Sequence, residues 1–575
     1  VYFKSEAHFE QWTNYLYSGL LDSPDAVSRY NADDMVDKSM GNIIQGLRLA
    51  SDDMSANNEW DWDMLRRINY LLEHSSNCED EALRTKYEGI AYFFRAYFYY
   101  QKVMRFGDVP YYEKVLESTD EEFLNMKRND RGFVMDKVME DFDKAIQMIP
   151  ATKDGFSARV TKWAALAMKS RAALFEGTFR KYHAGSAFVP QDAETYDGVT
   201  VSSEWFLNEA VKAAETVMGK KGLYTGNTMG IAGKATNASY REFFVLEDAD
   251  PTETILARAY KSDETVTVRH GIQFDMMNGK RCATTRFVNH YLKSNGQPYT
   301  EAELATMQYY DQFQGRDPRI AQTLHGPSYV AIGAEAHEGL NWERTVSGYR
   351  IIKYISDASH EGATTSTSDF ALFRYAEVLL NYAEAKAELG QLTDSDVAKT
   401  IDLIRARVGM PKMEKVPATV NPLMAKYYPN AKGTQLAAIL EIRRERTVEL
   451  CFEGFRQWDL LRWKEGKWIT PSSTKGFSGI YFPSLGEFDL DKDGKMDVCL
   501  YKGTKPSTTA PAANVIEVAG NWSLTGGDSG FLTYYAEENY VWDEGRDYLW
   551  PIPADQRQIT GGALSQNPGW IDGVE

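Results

Sequence analysis

The chain has 575 residues, 25% of them charged and 43% hydrophobic, a balance that fits a soluble globular protein with a large buried core. Its net charge of −18, with no run of basic residues, argues against nucleic acid as a partner, because phosphate neutralisation needs clustered Lys and Arg. The most apolar helical stretch, GIAYFFRAYFYY, carries Arg95 in its middle and is excluded as a membrane span. The aromatic share is 13%, with 34 Tyr against 27 Phe; a tyrosine joins an apolar ring to a polar tip and suits sugar or peptide sites as well as core edges.

The stretch SDDMSANNEWDWDMLRRIN (51–69) sets Trp60 and Trp62 beside Asp52, Asp53, Asn57 and Asn58. A non-catalytic sugar site needs flat aromatic faces for pyranose CH groups and amides or carboxylates for hydroxyls, so these six residues are candidate ligand contacts. The indoles are two residues apart and share no helical face; the plain alternative is that one anchors the following helix. Residues 83–105 place Leu83, Tyr87, Ile90, Phe94, Tyr97 and Met104 on one stripe and Phe93, Tyr99 and Tyr100 on another, predicting a helix covered on both sides. Residues 131–149 repeat the period with Val134, Val138, Phe142, Ala145 and Ile149, and Pro150 stops them. Residues 160–181 and 204–219 predict an antiparallel helix pair.

Between about 223 and 366 the texture becomes irregular, with strand-like pieces (ETILARAY, YRIIKYI) among long Gly/Asn/Thr/Ser-rich connections. Loops this long are more often functional than accidental, and Arg281, Tyr291, Tyr299 and Trp342 are the candidate contacts there, each with a packing role as its alternative. Helical periodicity returns at 369–389, closed by Gly390, and at 395–408. Small residues at the expected contacts, among them Ala164, Ala165, Ala172, Ala173, Ala383, Ala385 and Ala387, let helices approach closely, as in tetratricopeptide-like hairpins.

The run EIRRERTVELCFEGFRQWDLLRW (441–463) is of helix length, and its acids and arginines recur three positions apart. The pairs expected on a helical face are Arg446 with Glu449, Glu453 with Arg456 and Asp459 with Arg462, interleaved with Phe452, Phe455, Trp458 and Trp463. Glu449, Glu453 and Asp459 are formally acid/base candidates. Each has a partner that would lower its pKa, so the expected role is a structural lattice clamping one helix to its neighbours.

A second irregular block runs from about 470 to 550. Within it DLDKDGKMD puts Asp489, Asp491, Asp493 and Asp497 at positions 1, 3, 5 and 9 of a calcium-loop pattern, with Gly494 at the turn and Lys495 offering its carbonyl. Leu500 stands where an EF-hand has Glu, and strand-like flanks replace its helices. The expectation is a structural Ca2+ in a β setting, with an acidic hairpin turn as the alternative. Four cysteines (Cys78, Cys282, Cys451, Cys499) have no CxxC spacing and form no zinc framework; as disulfides they would allow three connectivities.

Enzyme signatures are weak. The eight histidines are dispersed without HExxH or HxH, no phosphate-binding GxxxxGK[ST] loop occurs, and Gly527-Asp528-Ser529-Gly530 has no convincing His/Asp partners. Nothing singles out the carboxylate pair that a glycosidase needs.

Five segments, in order, resemble the SusD/RagB family: FFRAYFYYQKVMRFGDVPYY (93–112), KWAALAMKSRAALFEGTF (162–179), FRYAEVLLNYAEAKAELG (373–390), RRERTVELCFEGFRQWDLLRW (443–463) and the tail YLWPIPADQRQI…QNPGW (548–570). The resemblance implies a mostly α, SusD-like single unit over 1–575, with tetratricopeptide-like hairpins supporting a loop-rich face that carries short β-hairpins. The expected scaffold is 1–222 and 367–466, the ligand face 223–366 and 467–547, and the family tail 548–575. It also implies a non-catalytic surface lipoprotein that binds oligosaccharide and delivers it to a TonB-dependent SusC-like transporter. The outer-membrane lipid anchor would lie upstream of Val1. In glycan-binding members the region matching 51–69 contributes ligand contacts. The alternatives are peptide capture on the same architecture, a scaffold whose only ligand is its partner protein, and a glycoside hydrolase.

Overall fold

The helix Glu81–Phe106 is the spine of the computed structural model, which describes residues 2–24, 32–39, 41–51, 59–151, 158–227, 238–470 and 477–574. Asp80 caps it by accepting the Leu83 N–H at 3.0 Å, and Gly107 ends it at φ +67°. Arg95, 4% exposed at its centre, is tolerated there because Asp141 on the helix Arg131–Met148 binds it through two bonds of 2.6 and 2.9 Å. A Cβ on Gly89 would lie 2.8 Å from Met148 and Ile149, so the missing side chain lets these two helices close. The helix Lys162–His183 buries Glu176 between Arg131 (2.7 Å) and Arg180 (2.9 Å) and packs on Ser203–Val217, where Gly177 meets Leu207.

Helices dominate, and the described sheets have only two or three strands each. Two main apolar clusters result. One lies among the helices (Phe94, Val138, Ala172, Leu380, Leu461), the other beneath the irregular segments (Tyr291, Trp342, Ile351, Val498, Leu532). The four cysteines are buried free thiols. No helix among the described residues is long and apolar enough to cross a membrane.

The periodicity misleads in three places. Residues 369–389 are not one helix: Phe370–Arg374 is a strand paired antiparallel with Thr254–Arg258, and the helix is Tyr375–Glu388. YRIIKYI forms no strand but makes single bridges, Arg350 to Cys282 and Ile351 to Leu324. The run 441–463 is two helices, Leu436–Glu449 and Arg456–Arg462, separated by Phe452 at φ +57° and Gly454 at φ +86°.

The predicted ion pairs are kept only in part. Asp459 with Arg462 forms as the spacing predicts, at 2.9 Å, but Glu449 and Glu453 turn to residues distant in sequence. Arg374 binds Glu253 and Glu449 at 2.8 Å each and Glu453 at 2.7 Å. Glu449 also takes Arg319 at 3.0 Å and Arg407, and Lys353 reaches Glu453 at 2.8 Å. Arg446 pairs with Asp459 at 2.8 Å, and Arg456 with Asp33 at 2.6 and 2.7 Å. Burial alone would raise the Glu449 pKa; Arg407, Arg374 and Arg319 overcome it and hold the carboxyl well below the usual range. Glu453 is lowered likewise, by Arg374 and Lys353 against its burial.

Replacing Arg374 by Met removes one guanidinium shared by three buried carboxylates and should cost about 3–5 kcal/mol in denaturant unfolding. Because the folded pKa values of Glu449 and Glu453 are depressed, their stabilisation is full above the ordinary value of 4.5 and is lost as pH falls below it. Melting temperature in the wild type should therefore drop through that acid range, and the drop should be shallower in Arg374→Met.

Candidate functional site

Among the described residues, the predicted contacts do not converge. Asp52, Asp53, Asn57 and Asn58 lie outside the described residues. Trp60 is 7% exposed, its ring edge-on to Phe106 at 4.8 Å and to Trp62 at 5.5 Å. Trp62 is half-buried against Phe98 and Tyr112, with Lys102 Nζ 5.5 Å over its ring. Tyr291 (0% exposed) and Trp342 (3%) are core residues and offer no ring face to a sugar. Tyr299 is partly buried under Arg316 (4.7 Å) and Lys293 (4.9 Å), and Arg281 is partly buried beside the helix Ile272–Asn278, its backbone N–H donating to Met276.

A different set of residues encloses a cleft of about 460 Å³, within the range of small-ligand sites. Its floor begins at the helical turn Thr285–Val288, capped by Thr284, whose Oγ1 accepts the Phe287 N–H at 3.2 Å. Pairing of Met35–Val36 with Cys282–Ala283 carries Asp33 alongside: the Thr284 hydroxyl donates to the Asp33 carbonyl at 2.5 Å. The helix Pro422–Tyr427 supplies Leu423, Lys426 and Tyr427, and the turn Gly466–Trp468 supplies Trp468. Phe477 and Ser478 come from one strand of a three-stranded sheet and Phe531 from its neighbour; Glu301 and Leu304 come from a short helix capped by Thr300.

Arg286 organises the aromatic wall. Its guanidinium lies 4.1 Å from the Tyr427 ring centre and 3.9 Å from that of Trp468. It donates to Asp33 Oδ2 at 2.6 Å and to the Tyr427 carbonyl at 2.8 Å. A guanidinium stacked between two rings and tied at its edge cannot swing, so the platform is rigid. On the same wall Asn289 Nδ2 donates to the Tyr427 hydroxyl at 3.0 Å. Asn289 Oδ1 and Trp468 Nε1 are buried and have no hydrogen-bond partner among the described residues. No motif marked these residues. The available signal was Trp468 in a turn, EGKWIT, followed by polar residues.

Two other features are narrower. A cavity of about 80 Å³ beside Arg171, Asp459 and Arg462 has room for a few waters only. In the hairpin joining Gly486–Phe488 to Val498–Tyr501, one carboxylate oxygen each of Asp489, Asp491 and Asp493 lies within 4.8 Å of the others. Asp497 turns inward and accepts the Leu490 N–H at 2.6 Å, while the Lys495 ammonium pairs with Asp493 at 3.0 Å and His337 Nε2 meets Asp491 at 2.6 Å.

Comparison with known proteins agrees with this architecture. The SusD family matches residues 252–570, and the family described as "Starch-binding associating with outer membrane" matches residues 3–174. A SusD-like protein P2 of Formosa agariphila is 25% identical over 385 residues, and the match spans 65% of this chain and 65% of that protein. A SusD-like protein of Bacteroides fragilis has TM-score 0.69 at 20% identity, covering 99% of this chain and 98% of that one. A SusD-like carbohydrate binding protein of the same species has TM-score 0.66 at 19% identity, covering 97% and 98%. A SusD homolog of Bacteroides thetaiotaomicron has TM-score 0.61 at 18% identity, covering 99% and 98%. At these identities the likeness to the solved structures is one of fold.

Asp34 follows the cleft residue Asp33 in the chain and is buried. Burial, then the charge of Asp33 beside it, pushes the Asp34 pKa up from 3.8 to about 7. As pH rises from 3.8 towards 7 the unfolded chain loses this proton while the folded chain keeps it, so the folded state is progressively disfavoured, and above 7 the penalty is constant. Asp34→Asn should therefore gain stability relative to wild type between about pH 4 and 7 and hold that gain above it, as melting temperatures across this range will show.

Proposed function

Because the chain belongs to the SusD family, we propose that it is a non-catalytic glycan-binding protein of the outer-membrane surface. It holds oligosaccharide in the Trp468–Tyr427 cleft and passes it to a TonB-dependent, SusC-like transporter. The observation that carries the reading is the cleft wall itself: the partly buried Trp468 ring, held in place by Arg286, stands with Tyr427, Phe477 and Phe531 as apolar surface for pyranose faces. The family descriptions, one naming starch binding and outer-membrane association, support the ligand class and the location.

Trp468→Ala should weaken oligosaccharide binding at least about tenfold, or about 1.4 kcal/mol, with the fold unchanged by circular dichroism. Calorimetry against a polysaccharide panel reads this directly. Binding lost in Trp62→Ala but intact in Trp468→Ala would move the contact to the 59–62 region. Binding of peptides and of no glycan would replace the ligand class, and release of reducing ends on long incubation would make the protein a hydrolase.

The acidic hairpin supports a second reading, a structural calcium held by Asp489, Asp491 and Asp493 with the Lys495 carbonyl. Three carboxylates so close repel one another unless a cation intervenes. Calcium at a hundredfold excess over its Kd should then raise stability by about 2.7 kcal/mol over the chelator-stripped protein, and Asp491→Asn should abolish the gain. No heat of calcium binding and no shift in melting temperature would end the idea.

A further inference from the structure

Exposed apolar side chains gather at one place on the surface. Among the described residues twelve large hydrophobics are exposed, and five of them, Leu47, Leu49, Val541, Ile559 and Ile571, lie on segments tied to one another. Ile559 and Ile571 are 76% and 91% exposed. The Val541 N–H donates to the Gln45 carbonyl at 3.1 Å, and Gly46 sits at φ +73° where a Cβ would strike the Val541 carbonyl. Arg48, between Leu47 and Leu49, places its guanidinium 4.6 Å from the Trp550 ring centre and 5.4 Å from that of Trp570, whose neighbour is Ile571. The helix Ala554–Ile559 is fastened to the same frame: the Ala554 N–H donates to the Ala50 carbonyl at 3.2 Å, and Arg557 pairs with Asp572. Single exposed apolar residues are ordinary, whereas a group held on one rigid frame marks a contact surface.

The rim of this patch is acidic. Residues 537–572 hold seven acids against two arginines. Arg546 is bound to Asp547 at 2.8 Å and Arg557 to Asp572, and the buried Arg48 also turns to Asp547 at 3.3 Å. Glu537, Glu538, Asp543, Glu544 and Asp555 are exposed and make no ion pair among the described residues. Lys38 beside Tyr535 and Arg128 at Ser565 border the tail, and the acids remain in excess. A second copy of the chain would set like charges against each other across a two-fold contact. A protein surface with Lys and Arg around an apolar centre complements the patch.

The patch also adjoins the cleft. Gly466 is packed so closely on the Trp542 ring that a Cβ would strike it, and Trp542 follows Val541 in the chain. The turn Gly466–Trp468, which presents Trp468 to the cleft, therefore rests on the edge of the patch. A partner seated there stands beside the bound ligand, as handing that ligand over requires.

We infer that the surface around Leu47, Val541 and Ile571 is where the SusC-like transporter docks, through an apolar patch of its own edged with Lys and Arg. The inference rests on the delivery reading above and gives it a place on the molecule.

The test is biolayer interferometry of the full chain against its SusC-like transporter in detergent, at low and at high ionic strength. Leu47→Glu with Ile571→Glu should weaken association at least about tenfold. Glu537→Lys with Glu538→Lys should slow association about threefold at low salt only. Val266→Glu with Val268→Glu, on a hairpin elsewhere, should leave association unchanged. Circular dichroism and oligosaccharide binding should match wild type in all three variants, since every changed side chain is exposed. Association of wild-type strength in the Leu47/Ile571 variant would overturn the inference while leaving the delivery reading standing. A wild-type dimer in sedimentation that this variant dissolves would assign the patch to a second copy and overturn it too. No association of wild type with the transporter would overturn the delivery reading and this inference with it.

Discussion

The structure turns on one buried carboxylate. Glu449 receives guanidinium groups from Arg319, Arg374 and Arg407, which come from a short helix, a strand-to-helix junction and a second helix far apart in the chain. Such a lattice adds little net stability over a well-packed apolar core, since desolvation offsets most of its attraction. Its effect is on alternatives: any arrangement that separates one of these groups leaves a buried charge unpaired. The lattice therefore ties the apolar cluster among the helices to the cluster beneath the loops in a single register.

A second chain of ion pairs reaches the cleft. Arg456 binds Asp33, Asp33 binds Arg286, and Arg286 holds the rings of Tyr427 and Trp468. Asp33 is thus a structural joint, because it fixes Arg286, and with it the aromatic wall, to Arg456. A wall already held in place has little ordering entropy left to lose when a ligand arrives. That suits the role proposed above, in which a sugar is captured and released unchanged.

Much of the scaffold was legible because helix signals are local. The stripe at 83–105, the stop near Pro150 and the run after Thr161 each became a helix within a few residues of the expected ends. The failures have physical causes. Phe370–Arg374 joins a strand because Thr254–Arg258 lies beside it, and no pattern within 369–389 announces that neighbour. Tyr291 and Trp342 stood in loop-rich sequence and suggested ligand contact, yet they pack the second apolar cluster, since long loops need a core of their own.

Taken alone, the sequence determined which residues would be buried in helices and that arginines among aromatics had to find carboxylates, because helical periodicity and the cost of an unpaired buried charge act at every position whatever the fold. Its ordered motifs also identified the SusD family. Only tertiary structure decided the partners and the cleft. Glu449 and Glu453 pair with Arg374, far away in the chain, and not with the arginines three residues from them. The cleft gathers Asp33, Asn289, Tyr427, Trp468 and Phe531 from five separate segments. Convergence of that kind depends on how helices and strands cross, and spacing along one chain does not encode it in any local form.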